Sequence, residues 1–125
     1  MIRRVAHRIH RIGFQHAWGG LVYSVTTQPN FQIHLAVSLF VLIGMITLEL
    51  QTWERVTLIF CIVLGLVVEM VNTAVESVVD LVTQEWRQSA KTAKDVAAGA
   101  MLLTAMGTAA VGLTILGPKI MELIK

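Results

Sequence analysis

Residues 54–83 read ERVTLIFCIVLGLVVEMVNTAVESVVDLVT. From Val56 to Val68 no Asp, Glu, Lys or Arg interrupts the run. Then Glu69, Asn72, Glu76 and Asp80 appear within twelve positions that keep the helical pattern. At about 100° per residue, Glu76 and Asp80 fall about 20° on either side of Glu69, and Asn72 some 60° away. The four polar groups therefore form one stripe, roughly 16 Å long, on an otherwise apolar helix. If the helix enters the membrane near Trp53, Glu69 lies within the far half of the hydrocarbon, Glu76 near its edge and Asp80 outside it. The stripe runs from lipid into water.

The rest of the chain agrees with a membrane setting. Of 125 residues, 55% are hydrophobic and 14% charged, where a soluble domain carries about 25%. The mean hydropathy is +0.70. That apolar content excludes disorder, and the length suits one domain, residues 1–125. Uncharged stretches also run from Ile12 to Leu48 and from Val96 to Pro118. Each is long enough for the roughly 20 residues of a transmembrane helix. The pattern predicts an all-α membrane protein with spans near 31–49, 54–83 and 92–119, the first opened by Pro29-Asn30.

Residues 1–27 differ. Ile2, Val5, Ile9 and Ile12 recur at helical spacing beside Arg4, Arg8 and Arg11, and Phe14, Trp18, Leu21 and Val25 form a second stripe. A bend near Gly13 or Gly19-Gly20 would turn both stripes to one surface. A basic amphipathic helix of this kind lies in the membrane interface, with Trp18 and Tyr23 at headgroup depth. Arg3, Arg4, Arg8, Arg11, Arg87, Lys91 and Lys94 share one side; Arg55, Lys119 and Lys125 share the other. The positive-inside rule then places the N-terminus and the 84–95 loop in the cytoplasm.

An acid at the depth of Glu69 is costly and marks a partner or a functional cavity. Removal from water makes a carboxylate a stronger proton acceptor, which suits Glu69 as general base on a lipid hydroxyl. Glu76, nearer water, suits a hard cation such as Mg2+, which binds one or two carboxylates plus phosphates. The segment holding Glu85, Trp86, Arg87, Lys91, Lys94 and Asp95 has the mixture needed for a nucleotide. Together these point to phosphoryl transfer, where positioning and charge neutralisation supply most of the catalysis. No Walker A or kinase-type Gly-rich loop is present.

Glu69-x-x-Asn72-Thr-Ala-x-Glu76-x-x-x-Asp80, with Ala93-Lys94-Asp95-x-Ala97-Ala98-Gly99-Ala100, resembles the prokaryotic diacylglycerol kinase/undecaprenol kinase family. The resemblance covers nearly the whole chain, including Trp18-x-Gly20. It implies a homotrimer of three-span subunits with a surface helix and active sites shared between subunits, in the bacterial cytoplasmic (inner) membrane. It implies direct transfer of the ATP γ-phosphate to a membrane lipid alcohol, diacylglycerol or undecaprenol, with Mg2+ as cofactor and no nucleic-acid partner. By position, Glu69 matches the catalytic base, Glu76 a ligand of the metal on ATP, and Asn72 a residue close to the transferred phosphate. Asp80, Lys94 and Asp95 match the nucleotide region, and Glu85, Trp86 and Arg87 the segment covering it. One position departs: where the family commonly has a second metal-binding glutamate, this chain has Gln28. An amide oxygen still ligates Mg2+, without charge. Asn30-Phe31-x-Ile33-His34 and the run from Lys94 to Ala100 look closer to the undecaprenol kinases.

Other residues read more simply. His7, His10 and His16 have no metal-site spacing and suit the interface, and His34 stands near the start of the first span, to touch substrate or to cap the entrance. Met45, Met70, Met101 and Met106 suit packing. Lone Cys61 forms no internal disulfide. Ala97, Ala98, Gly99, Ala100, Ala105 and Gly107 allow close helix approach. Two other classes are a weak or inactive homologue serving as scaffold, and an ion-conducting protein. The second should carry polar residues through both leaflets, which Val56–Val68 does not.

Overall fold

The computed structural model describes the backbone of residues 2–124 and side chains from Gly13 to Ile124. Four helices follow one another: α1 (Ile2–Thr27), α2 (Pro29–Thr47), α3 (Thr52–Val82) and α4 (Gln88–Leu123). The last three are long and apolar enough to cross a membrane, as expected of an integral membrane protein. α1 is helical without interruption through Gly13 and Gly19-Gly20, so no break separates its two halves. The side chains of the N-terminal arginine face, His7 and His10 lie outside the described residues.

Each boundary has a local cause. Gln28 is extended (φ −103°, ψ 106°) and Pro29 follows at the first helical turn, where its missing N–H costs nothing. α2 covers 19 residues, about 28 Å, close to the hydrocarbon thickness. It ends when Leu48 turns extended, its N–H still donating to Gly44 O at 2.9 Å. α3 opens with a carboxylate cap: Glu54 accepts a 2.6 Å hydrogen bond from the Gln51 backbone N–H.

The sequence expectation needs correction between the second and third spans. The 84–95 segment is not a loop: only 83–87 is irregular, and α4 begins at Gln88, carrying Lys91, Lys94 and Asp95 on its first turns. The segment Gln-Ser-Ala-Lys-Thr-Ala-Lys-Asp contains no Gly or Pro, and Lys91 pairs with Asp95 at i,i+4, a spacing that supports a helix. α4 also continues past Pro118 to Leu123. Proline's own φ is helical, so it removes one hydrogen bond without having to end the helix.

α3 packs most extensively against α4, then α2, while α1 leans mainly on α2. A hydrogen bond from Gln32 Nε2 to Val25 O (3.0 Å) ties α2 to the end of α1. Met45, Leu48, Leu50, Leu58 and Ile115 form the apolar core, with Val41, Val111 and Leu116 against it. This cluster joins the C-terminal end of α2, the N-terminal end of α3 and the C-terminal part of α4. The acidic stripe of α3 occupies the opposite end of the bundle. Outward faces carry exposed Phe40, Ile46, Leu103 and Leu113, which suits contact with lipid tails.

Candidate active site

Glu69 is 2% exposed and Asn72 5%. Glu76 is half-buried and Asp80 exposed. The stripe thus passes from interior to surface along α3, in the order its spacing predicts. Asn72 Nδ2 donates to Glu76 Oε1 at 3.2 Å. An amide beside a carboxylate must present its NH2 to it, so Asn72 Oδ1 is turned away. That oxygen and Glu69 Oε2 are both buried without a hydrogen-bond partner. Orphaned buried acceptors are uncommon in native structures and call for a donor or cation. Two of them within one helical turn make a pair of oxygens waiting for a hydroxyl, an ammonium or a metal.

α2 completes the wall. Asn30 and His34 stand near Glu69 across the α2–α3 contact. Gly65, one turn before Glu69 on α3, lies against His34: a Cβ there would sit in ordinary van der Waals contact, 3.9 Å from His34 Nδ1. Ser38, one turn farther along α2, is buried and donates to His34 O at 2.7 Å. Asn30, His34 and Ser38 thus form a second polar stripe that meets the first at Glu69 and runs from there along the groove between α2, α3 and α4 toward Cys61. Asn30 is a site residue that the reading from sequence missed; its signal was the i, i+4, i+8 spacing within an apolar helix.

The charged end is built from α3 and α4. Asp80 Oδ1 accepts from Lys94 Nζ at 2.6 Å, joining the last turns of α3 to the first turns of α4. Lys91 pairs with Asp95 on the exposed surface. In the 83–87 connection, Arg87 Nη2 donates to Glu85 Oε2 at 3.2 Å, and Trp86 is 77% exposed. The structure therefore joins Glu69, Asn72 and Glu76 in one stretch, and Asp80 with Lys94 in another. Glu85, Trp86, Arg87 and Asp95 lie on the outer surface nearby in the chain. Gln28, at the α1–α2 junction, donates through Nε2 to Thr27 Oγ1 at 3.0 Å, and no hydrogen bond links it to Glu76.

Among the described residues, no three His, Cys, Asp or Glu side chains converge as a metal site. A divalent cation here would rest on few protein oxygens and on the phosphates it accompanies, the usual arrangement for Mg2+. The oxygen-only chemistry of Glu76 and the open Asn72 Oδ1 fits such a hard cation.

The chain matches the sequence model of a family described as prokaryotic diacylglycerol kinase over residues 15–116. It is 40% identical over 114 residues to a diacylglycerol kinase of Synechocystis sp., which covers 90% of this chain and 65% of that protein's length. To the undecaprenol kinase of Bacillus subtilis it is 40% identical over 108 residues, 86% of this chain and 87% of the relative. To the diacylglycerol kinase of Escherichia coli K12 it is 34% identical over 89 residues, 70% and 72% of the two chains.

Proposed function

This chain belongs to the prokaryotic diacylglycerol kinase family, and we propose that it is an ATP-dependent kinase of membrane lipid alcohols. The observation that carries this reading is the buried, unpartnered Glu69 Oε2 one turn from the Asn72–Glu76 pair. Glu69 takes the proton from the lipid's primary hydroxyl. The hydroxyl oxygen bonds to the γ-phosphorus as the bond from that phosphorus to the bridging β–γ oxygen breaks, and ADP leaves. No phosphoenzyme is formed. Asn72 stands next to the reacting phosphate and is oriented by Glu76. Glu76, with Gln28 as the weaker uncharged partner, would hold Mg2+, which neutralises phosphate charge when bound. Asp80, Lys94 and Asp95 hold the nucleotide, and Glu85, Trp86 and Arg87 cover it.

The assembly we propose is a homotrimer with shared sites. Val56, Phe60, Val63 and Val67 are exposed and spaced 4, 3 and 4 residues apart, a heptad seam. They lie on the face of α3 turned away from Glu69, so a neighbouring copy can cover them and leave the site open, while the sharing of sites between copies rests on the family resemblance. The positive-inside rule supports a cytoplasmic N-terminus and 83–87 connection, in the bacterial cytoplasmic membrane.

The test is transfer of label from γ-32P-labelled ATP to mixed lipid alcohols by the purified protein. Label should enter the organic phase only when Mg2+ is present, and no label with any lipid alcohol overturns the reading. Glu69→Gln should lower kcat about 100- to 10,000-fold, the span of general-base contributions, with assembly in detergent unchanged. Retained turnover would remove Glu69 as base.

A further inference from the structure

Each turnover leaves Glu69 holding the proton it has taken, and an acid cannot serve again as base until that proton leaves. Glu69 is 2% exposed, so direct loss to bulk water is closed off while the site keeps this shape. Among the described residues, two titratable side chains act on it, His34 and Glu76. Asn30 and Asn72 are amides, which neither store nor pass a proton near neutral pH. Glu76 receives the Asn72 amide through Oε1 and, in the lipid-kinase reading, holds the cation. That leaves His34. It packs on the turn of α3 before Glu69, where a Cβ on Gly65 would sit 3.9 Å from its Nδ1. Cys61 is the titratable group that α3 adds to the groove lined by His34, and the α4 residues there, such as Ala105, Thr108 and Ala109, add none.

We propose that His34 is the proton exit of the site, an inference that rests on the lipid-kinase reading with Glu69 as base. His34 is the sixth residue of α2, about 7 Å of rise from the start of the helix. It is half-buried where Glu69 is enclosed, so it borders both the acid and the outside. Ser38 engages the His34 backbone oxygen and leaves the ring alone. Imidazole takes up and gives back protons near neutral pH through two distinct nitrogens. After phosphoryl transfer, the O–H of protonated Glu69 gives its proton to the lone pair of a His34 nitrogen. Glu69 is then a carboxylate again and His34 an imidazolium. The imidazolium loses a proton to water at the membrane surface and returns to the neutral ring. One proton leaves for each lipid phosphorylated, as the conversion of an alcohol and ATP to a phosphate ester and ADP requires.

Such an exit is needed for the second turnover and not for the first, because Glu69 equilibrates with water before mixing. A residue that only shapes the site is needed for both. In rapid-quench measurements with γ-32P-labelled MgATP and saturating lipid alcohol, His34→Gln should phosphorylate one lipid per site at close to the wild-type rate. It should then continue about 100-fold more slowly, the low end of general acid–base contributions. The slow phase should show a larger solvent deuterium isotope effect than the first turnover. In His34→Ala, which opens room for a free ring, added imidazole should raise the steady rate. A first turnover slowed as much as the later ones overturns the inference and leaves the lipid kinase standing. So does a steady rate that His34→Gln leaves unchanged, or imidazole without effect on His34→Ala. Wild-type protein that labels no lipid alcohol overturns the kinase reading, and the proton exit falls with it.

Discussion

The decisive residue is Glu69, because its two surroundings differ. On one side stand Asn30 and His34; on the other, an oxygen faces no donor at all. Burial of an acceptor without a partner is destabilising by about 1–3 kcal/mol, so the fold carries a cost at the point where chemistry is proposed. In the proposed metal site Gln28 is the uncharged partner of Glu76, and a carboxylate in its place would add charge. Gln28→Glu should therefore raise apparent Mg2+ affinity in the lipid-kinase assay, and unchanged metal dependence would remove Gln28 as a ligand. At this scale the acidic stripe was legible from spacing alone, since charge inside a hydrophobic run has few bland explanations. Asn30 was not, because one amide beside a proline reads as a turn signal. The orphaned Oδ1 of Asn72 was not legible either: its direction depends on which partner takes the NH2, and only the three-dimensional arrangement decides that.

At the scale of elements, the spans near 31–49 and 54–83 stand within two residues of α2 and α3. Long uncharged runs leave little choice in a bilayer, since every backbone polar group must be satisfied internally. The start of α4 was misread because a cluster of charges resembles a loop; helix-forming residues and the Lys91–Asp95 pair extend the helix instead. The Asp80–Lys94 bridge between α3 and α4 is partly exposed, and such pairs are worth about 0–1 kcal/mol. Lys94→Gln should hardly move Tm, yet raise KM for ATP; a large loss of thermal stability with unchanged KM would make the pair structural. At the other end of α3, Glu54 caps the helix from a buried position. Glu54→Ala should cost about 1 kcal/mol, while Glu54→Gln, still able to accept from the Gln51 N–H, should recover most of it. Thermal unfolding of both variants in one detergent checks this.

For the whole molecule, one copy leaves a heptad seam of α3 uncovered. Val63→Trp should crowd that seam, shift the protein toward smaller species in light scattering of detergent complexes, and lower kinase activity in parallel. Full activity from a monodisperse monomer would dissociate the shared-site assembly from the chemistry. The proposed trimer rests on the family resemblance and this seam, and the proposed sidedness on the distribution of cations, since the fold of one copy decides neither.

The apolar cluster of Met45, Leu48, Leu50, Leu58 and Ile115 sits far from Glu69, and Leu58 is 1% exposed. Regions rich in buried contacts open last, and sparsely packed ones open first. The three membrane helices are thus fastened by an apolar clamp at one tip, while at the other they close around buried Glu69 and Asn72 and are tied by the Asp80–Lys94 bridge. A local rearrangement around the acid therefore leaves the distant clamp shut, so traffic at one tip does not put the fold itself at stake.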